Sequence, residues 1–521
     1  MNKLIIGLFL LSCSSPNPPS TAQRALVEAA VLVSPNGACF DPGAPPYNAV
    51  PDDNRSDRIA LQAAANDAAA WSVAHESAPT VVCLGAGKWN CDRAPVSSYN
   101  RFSCVSVHSG NVVFAGVGEA TKIALEGDQH QGDIIMMSHD PGASGGYRDL
   151  MVVSDNAYNT SEQTHLLGTT GVCDKGNCVP IRNISFKRII CDHPVAIDGN
   201  RKGDCIRLLG NAPPTDVTPG TGIYGVIIED SEFRRCARSG IQPQRGVHNL
   251  IIRRNKFWCD QPIHGEATGG TQAGENDAAD IYENTFNSFG YNGNGEVFSS
   301  DVDIALSGTA FPYTGIHIHN NRLGRGIYLY RTANAVIDHE QITMSPRTGY
   351  GVIEISNVCD GLSISNVNVT RNGFAGPVLR MTPHSGAVCK NVRITDSTWN
   401  QNTLDHIVYS ESVSGVLFEN NVLTWTKPAP KFAGFYARST VVPITDVVLR
   451  GNQFIGAGSF GAMFSAAPYA FGAGIEVSGN IVVDTTADGV VCNGAGGFAP
   501  IMSFGNTFGS VACPGVVFIQ P

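Results

Sequence analysis

Polar and apolar positions alternate along this chain in short runs, and the runs return at a steady interval. The unit is apolar-x-apolar-x-x-(Asn/Ser)-x-apolar. It reads Val226-Ile228-Ser231-Phe233, Leu250-Ile252-Asn255-Phe257, Ala279-Ile281-Asn284-Phe286 and Ile316-Ile318-Asn321-Leu323. It continues as Val392-Ile394-Ser397-Trp399, Val416-Phe418-Asn421-Leu423 and Val447-Leu449-Asn452-Phe454, and Gly505-Asn506-Thr507-Phe508 closes the series. A period of two predicts strands with one buried face. The Asn is expected where the strand bends sharply, because it tolerates left-handed backbone and bonds its own turn. Stacked coil on coil, these amides would form an internal ladder. A second short strand follows each unit, as in Ile206-Arg207-Leu208, Gly240-Ile241-Gln242 and Gly326-Ile327-Tyr328-Leu329-Tyr330. The interval of about 24–35 residues marks a solenoid rather than a sandwich of hairpins every 8–12 residues. The predicted fold is all-β, a right-handed parallel β-helix over 106–521, with a small helical cap over 45–105.

Composition agrees. The 521 residues include 57 Gly, and only 15% are charged, a strand-and-turn diet. Lys3 followed by the apolar run Leu4 to Leu11 reads as an export signal, too short to span a bilayer. Leu10-Leu11-Ser12-Cys13 resembles a bacterial lipobox, which implies a signal over 1–13 and lipidation at Cys13. A Ser/Pro-rich linker is expected over 14–44. The expected product is an exported lipoprotein of the cell envelope or surface, with a secreted form as the alternative. Its only membrane contact would be the N-terminal lipid. Fifteen cysteines less Cys13 leave an even number, which suits an oxidising compartment. Cys83/Cys91, Cys173/Cys178, Cys359/Cys389 and Cys492/Cys513 are near enough in sequence to pair, though sequence leaves the connectivity open.

The segment Asp52 to Ala64 reads as a loop entering a helix, with Asp57 as N-cap. Thr80 to Cys83 reads as a strand, and Leu84-Gly85-Ala86-Gly87-Lys88-Trp89 as its turn. Together these resemble the opening of the pectate-lyase-like superfamily, with Gly85 in place of the usual Pro and Pro51-Asp52 where a Gly-Asp-Gly is usual. The resemblance implies a capped β-helix whose polysaccharide lies on the sheet formed after the long loop of each coil. Here that sheet would present Arg207, then Gln242 and Gln244, then Asp301 and Asp303, then Tyr328 and Tyr330, then Glu354, then Arg380. At ~4.8 Å per coil, six rungs span ~24 Å.

Charge narrows the substrate. Residues 181–260 hold thirteen Lys/Arg and eight Asp/Glu, a net of +5 in a chain of net −10. A local positive field suits an acidic polysaccharide. No nucleic-acid module is present, and the chain is expected to act as a monomer. Ser239-Gly240-Ile241-Gln242-Pro243-Gln244-Arg245-Gly246 resembles one strand of alginate C5-epimerases. Gln242 and Gln244 stand where that strand has Asp and His, so it implies carboxylate binding without epimerase chemistry.

β-Elimination of a uronate needs its carboxylate neutralised and a base for the C5 proton. Arg207, Gln242, Gln244, Arg245 and Arg380 are the expected carboxylate binders, and Tyr328, Tyr330 or Arg331 the base. Asp301 and Asp303 are candidates for Ca²⁺, a hard cation that takes oxygen ligands. Hydrolysis is the alternative, with Asp303 and Glu354 as the carboxylate pair, and a third option is a surface binder without catalysis. His317 and His319 form an i, i+2 pair on the adjoining sheet, read as a plain exposed pair in preference to a metal site. The long polar insertion Cys259 to Asp277 is expected to wall the groove.

Overall fold

The structure, a computed structural model, describes residues 39–519 apart from short segments, the longest being 126–132, 155–163, 171–178, 193–202, 211–221, 266–275 and 288–301. Cys13, Cys173, Cys178 and Asp301 lie outside the described residues, as does most of the insertion before Asp277.

Among the described residues, forty-six short strands join in one continuous ladder. Each pairs in parallel with its counterpart one coil away, and the one antiparallel pair among the described residues is Ala94–Val96 with Arg101–Ser103. Parallel neighbours require crossovers, which are right-handed almost without exception. A coil contributes to three sheets in turn. The first sheet includes Val247–Arg253, Asp277–Tyr282, His317–His319 and Val336–Asp338. The second includes Lys256–Trp258, Thr285–Phe286, Arg322–Leu323 and Gln341–Ile342. The third includes Asp204–Leu209, Ser239–Gln244, Ile304–Ser307, Ile327–Ala333, Ile353–Asp360 and Leu379–Thr382.

Like residues stack inside. Val226, Leu250 and Ala279 are successive partners, and the rings of Phe233, Phe257 and Phe286 lie 4.7 and 4.8 Å apart, nearly parallel. Each such side chain contributes roughly 1.5–3 kcal/mol on burial.

The amide ladder runs between the first and second sheets. Nδ2 of Asn255 donates to Oδ1 of Asn284 at 3.0 Å, and Asn284 donates to Asn321 at 2.9 Å. Asn421, Asn452, Asn480 and Asn506 repeat the chain of bonds. The left-handed residue is the one before the amide: Arg254 (φ 55°), Glu283 (φ 55°), Asn320 (φ 56°) and Asn420 (φ 56°). The bend therefore falls one position earlier than expected, and the ladder side chain is left to run along the stack.

Three successive coils interrupt the amides, with Glu340, Val367 and Ser397 in the ladder position. Glu340 takes the amide's place and accepts from Asn321 Nδ2 at 2.8 Å. Burial pushes its carboxyl up to about 8, outweighing the Asn321 hydrogen bonds. Val367 follows on the next coil, and its N–H turns to the Ser397 hydroxyl at 3.2 Å.

Helix α1, Arg58–Ala74, buries Leu61, Ala64, Ala65 and Ala68 against Thr80–Cys83, Val105–Val107 and Gly110–Leu125. Asp57 precedes it, but its carboxylate accepts the Asn90 N–H at 2.8 Å and makes no cap bond. Ile59, in the first turn of the helix, is exposed. Cys39–Phe40, placed in the linker by sequence, is a strand paired with Thr80–Cys83. The register places Cys39 opposite Val81, and its disulfide reaches Cys83 two residues further on.

Six disulfides occur among the described residues: Cys39–Cys83, Cys91–Cys104, Cys191–Cys205, Cys236–Cys259, Cys359–Cys389 and Cys492–Cys513. The last two match the sequence expectation. Cys83/Cys91 does not, because those residues lie on separate strands that face different partners.

Candidate functional site

Strand register, more than composition, decides which side chains share the outer face of the third sheet. Arg207 is paired with Gln242. His264, Ala305, Tyr328, Glu354, Arg380, Tyr409, Tyr436 and Met463 are then successive partners down the stack. Leu209 and Gln244 share the next column, which continues as Ser307, Tyr330 and Ser356. Arg207, Gln242, Tyr328, Glu354 and Arg380 thus stand in one row, as expected, with Gln244 and Tyr330 beside it.

Asp303 is not in that row. Its strand begins at Ile304, so Ala305 and Ser307 fill the rung. Asp303 is fully buried, and its carboxylate accepts the Arg325 N–H at 2.6 Å beside the Arg325 guanidinium. It is a turn brace, which removes it from the Asp303/Glu354 carboxylate pair and from an open calcium site. Arg331 also leaves the row. It sits at φ 57° where the register slips between Tyr330 and Thr332, as the chain turns off the face. Arg245 occupies the corresponding turn after Gln244 (φ 32°).

The upper row, from Arg207 to Gln244, is an interlocked polar network. Arg238 grips both oxygens of Asp204, at 3.0 and 2.8 Å, and also reaches Gln242. Nδ1 of His165 lies 2.9 Å from Asp204, and its Nε2 faces Nη1 of Arg207 at 2.9 Å. Arg207 Nε donates to Gln244 at 3.2 Å. Burial, then Arg207, lowers His165 to about 4, so it is neutral at physiological pH. Burial alone would raise Asp204, but His165 and Arg238 hold it far below the usual carboxylate range. His165, Asp204 and Gln242 are wholly enclosed.

The lower row is more open and aromatic. Tyr328, Tyr330, Tyr409 and Tyr436 are half-buried and Tyr350 is exposed. Arg380 lies 5.9 Å from the Tyr350 ring and 6.0 Å from the Tyr409 ring, with Nη1 3.6 Å from Glu354. Glu354 also accepts the Gly351 N–H at 2.8 Å. Tyr330 Oη accepts from Asn357 at 2.9 Å. Burial and then Glu354 raise Tyr328, and burial and the bond to Glu411 raise Tyr409, so both hydroxyls stay protonated. Tyr436 stacks on His406 at 4.4 Å.

Arg371 braces this region from behind. Fully buried, it donates to the carbonyls of Tyr350, Pro377 and Ala375 at 2.6, 2.7 and 2.9 Å. Gln401, its partner one coil on, holds Gly376 and His406 in the same way. Nothing in the linear pattern marked His165, Asp204, Arg238, Tyr350, Tyr409 and Tyr436 as part of this face. Carrying the strand alternation two coils past Arg380 reaches Val408-Tyr409-Ser410 and Phe435-Tyr436-Ala437.

The basic surplus of 181–260 is largely spent within the protein. Lys187, Arg188, Arg234, Arg235, Arg238, Arg253 and Arg254, seven of the thirteen, bond carboxylates. Most are on the first and second sheets or their turns, away from the row.

No protein-family model matches the chain, and no curated protein matches it significantly. Solved structures do. A mutant tailspike protein of E. coli bacteriophage HK620, in complex with a pentasaccharide, is 12% identical with a TM-score of 0.54. The match covers 91% of this chain and 84% of that one. The A-module of the Azotobacter vinelandii mannuronan C-5 epimerase AlgE6 is 15% identical over 90% of this chain and 98% of its own, with a TM-score of 0.43. The Streptococcus pneumoniae surface protein and adhesin PfbA is 13% identical over 89% and 100%, with a TM-score of 0.40. The fold is a right-handed parallel β-helix. At these identities the likeness is one of fold, and any chemistry has to come from this chain's own side chains.

Proposed function

We propose that this β-helix binds a polysaccharide along the third sheet, from Tyr328 to Tyr436, and cleaves it there. The observation that carries this reading is the run of tyrosines on neighbouring coils around Glu354 and Arg380. Coils rise by ~4.8 Å, close to one sugar unit, and phenol rings offer flat apolar faces with a polar tip. The HK620 tailspike, which shares the fold, is bound to a pentasaccharide, and this supports a glycan ligand.

The reaction we assign is β-elimination on an acidic glycan. Arg380 neutralises the substrate carboxylate, which acidifies the C5 proton. Tyr330, acting as the phenolate, takes that proton, helped by the hydrogen bond its oxygen accepts from Asn357. The C5 electron pair forms the C4=C5 double bond as the C4–O bond breaks, and the leaving C4 oxygen takes the proton back from Tyr330. Tyr328, held protonated, is a binding group and not the base.

Hydrolysis is the second reading, favoured by Asp405. Burial raises its carboxyl, as a general acid needs, and Glu354 would then activate water. The two carboxylates required for it would be Asp405 and Glu354.

Incubation with a panel of uronate polymers separates these readings. Products absorbing as unsaturated sugars support elimination, and new reducing ends without that absorbance support hydrolysis. Tight binding without products would leave a glycan adhesin and remove the enzyme. The disulfides suit an oxidising compartment, and no helix among the described residues is long and apolar enough to cross a membrane. An exported protein held by lipid at Cys13 fits both, and Cys13→Ser should release it from membranes.

A further inference from the structure

A second cluster lies on the first sheet, away from the row. The register sets Asp280 opposite His317, and Tyr282 opposite His319, on adjacent coils. Asp280 is almost wholly buried, while His317 is about one-third exposed. Oδ1 of Asp280 lies 3.5 Å from Nδ1 of His317 and 3.1 Å from Nε2 of His319. One ligand atom from each of the three lies within 4.8 Å of the others.

The two carboxylate–imidazole spacings match those between ligands of one metal ion. Zinc binds imidazole nitrogen and carboxylate oxygen at about 2.0–2.1 Å, which in a tetrahedron separates neighbouring ligands by about 3.3 Å. The two measured separations bracket that value. The donor set, two imidazoles and one carboxylate, is borderline-soft and suits zinc and its neighbours over calcium or magnesium.

The rings are also held in place. His317 stacks on His319 at 4.1 Å, and His319 stacks on Tyr282 at 4.8 Å. Tyr282 is anchored in turn by Arg253, which donates to its hydroxyl at 2.9 Å. Nδ1 of His319 has the Asn320 amide 2.9 Å away. Which way an amide points is set by its partners, so Asn320 turned over offers Oδ1 to an Nδ1–H. That is the outer-sphere bond a metal-ligating histidine usually makes.

We propose that Asp280, His317 and His319 form a binding site for a divalent transition-metal cation of the zinc class, cross-linking two adjacent coils. Three protein ligands leave a tetrahedral ion one open position, reached from the His317 side. One carboxylate and two neutral imidazoles leave the bound ion with a net positive charge. That position therefore takes water or an anionic group.

The test uses the full chain without a polyhistidine tag, stripped of metal and titrated with Co²⁺ at neutral pH. The expected result is one equivalent bound, with visible bands of a four- or five-coordinate ion that Zn²⁺ then displaces. His317→Ala and His319→Ala should each weaken binding by about 10- to 100-fold or more, the range found when even an outer-sphere partner is lost. His317 is partly exposed, so its variant should fold, which circular dichroism checks. Zn²⁺ should raise the Tm of the wild type and leave that of His317→Ala unchanged. Absence of the bands, or bands equal in the wild type and both variants, would overturn the site.

Discussion

The two halves of the outer row lie on one sheet and obey one register, yet they differ in kind. From Arg207 to Gln244 the charged groups are enclosed and joined to one another, with His165 and Asp204 at the centre. From Tyr328 to Tyr436 half-buried tyrosines surround a buried Glu354, whose pair with the part-exposed Arg380 is loose at 3.6 Å. Buried ion networks need every partner, because desolvation costs more than one contact returns. A face that receives a ligand has to keep some surface unsatisfied until the ligand arrives. The same column thus serves as structure above and as candidate site below.

The largest expected effect tests the lower half. Tyr330→Phe should cut turnover of the cleaved glycan by about 10²- to 10⁴-fold, the usual worth of a proton-transferring group, with little change in Tm. A variant of near wild-type activity would move the chemistry off this rung. On the upper half the same kind of change should act on stability. Asp204→Asn leaves Arg238 buried against a neutral amide and should cost about 3–5 kcal/mol in urea unfolding. Should it instead abolish activity in a fully stable protein, the comparison between the halves would be reversed.

Acid should come next. His165 and His406 are both lowered by burial to about 4 in the folded protein, against about 6.5 unfolded. The unfolded chain therefore binds more protons in between. Their contribution is fully present above pH 6.5 and is lost as pH falls towards 4, up to about 3 kcal/mol for each. Replacing each in turn by Gln should flatten that part of the stability profile, and a wild-type profile already flat from pH 6.5 to 4 would refute the assignment.

Two smaller effects sharpen the picture. Tyr436→Ala should weaken glycan binding by about 1 kcal/mol, roughly what an aromatic contact is worth, as read by affinity electrophoresis. Equal affinity would shorten the binding face by one coil. Glu340→Gln restores an amide donor to the ladder. Glu340 is raised to about 8 when folded, so its contribution is fully present below the unfolded carboxyl value of about 4.3 and is lost as pH rises from there to 8. The substitution should therefore raise Tm at pH 9, by about 1 kcal/mol of stability, and much less at pH 5. A gap independent of pH would mean that Glu340 is ionised throughout.

Much of this was legible in the chain. The alternation and the recurring Asn named the fold and the ladder, because side chains on stacked coils meet their own counterparts. The reading faltered where the repeat lost its marker residue. The coils of Val336 and Ser363 carry Glu340 and Val367 in the ladder position, so the Asn signal is missing there. Asp303 falls one position before its strand begins, which makes it a buried brace and not an outer-face residue.

What the sequence by itself determined was therefore the period, the inside-outside pattern and the candidate row from Arg207 to Arg380. Those are local properties, written in residues two apart along a strand. What only the tertiary structure decided was which outward residues are covered and which are open, which cysteines meet, and that seven cations are matched by carboxylates, most of them from other coils. Each of these joins residues far apart along the chain, and a linear pattern holds no record of distance across the stack.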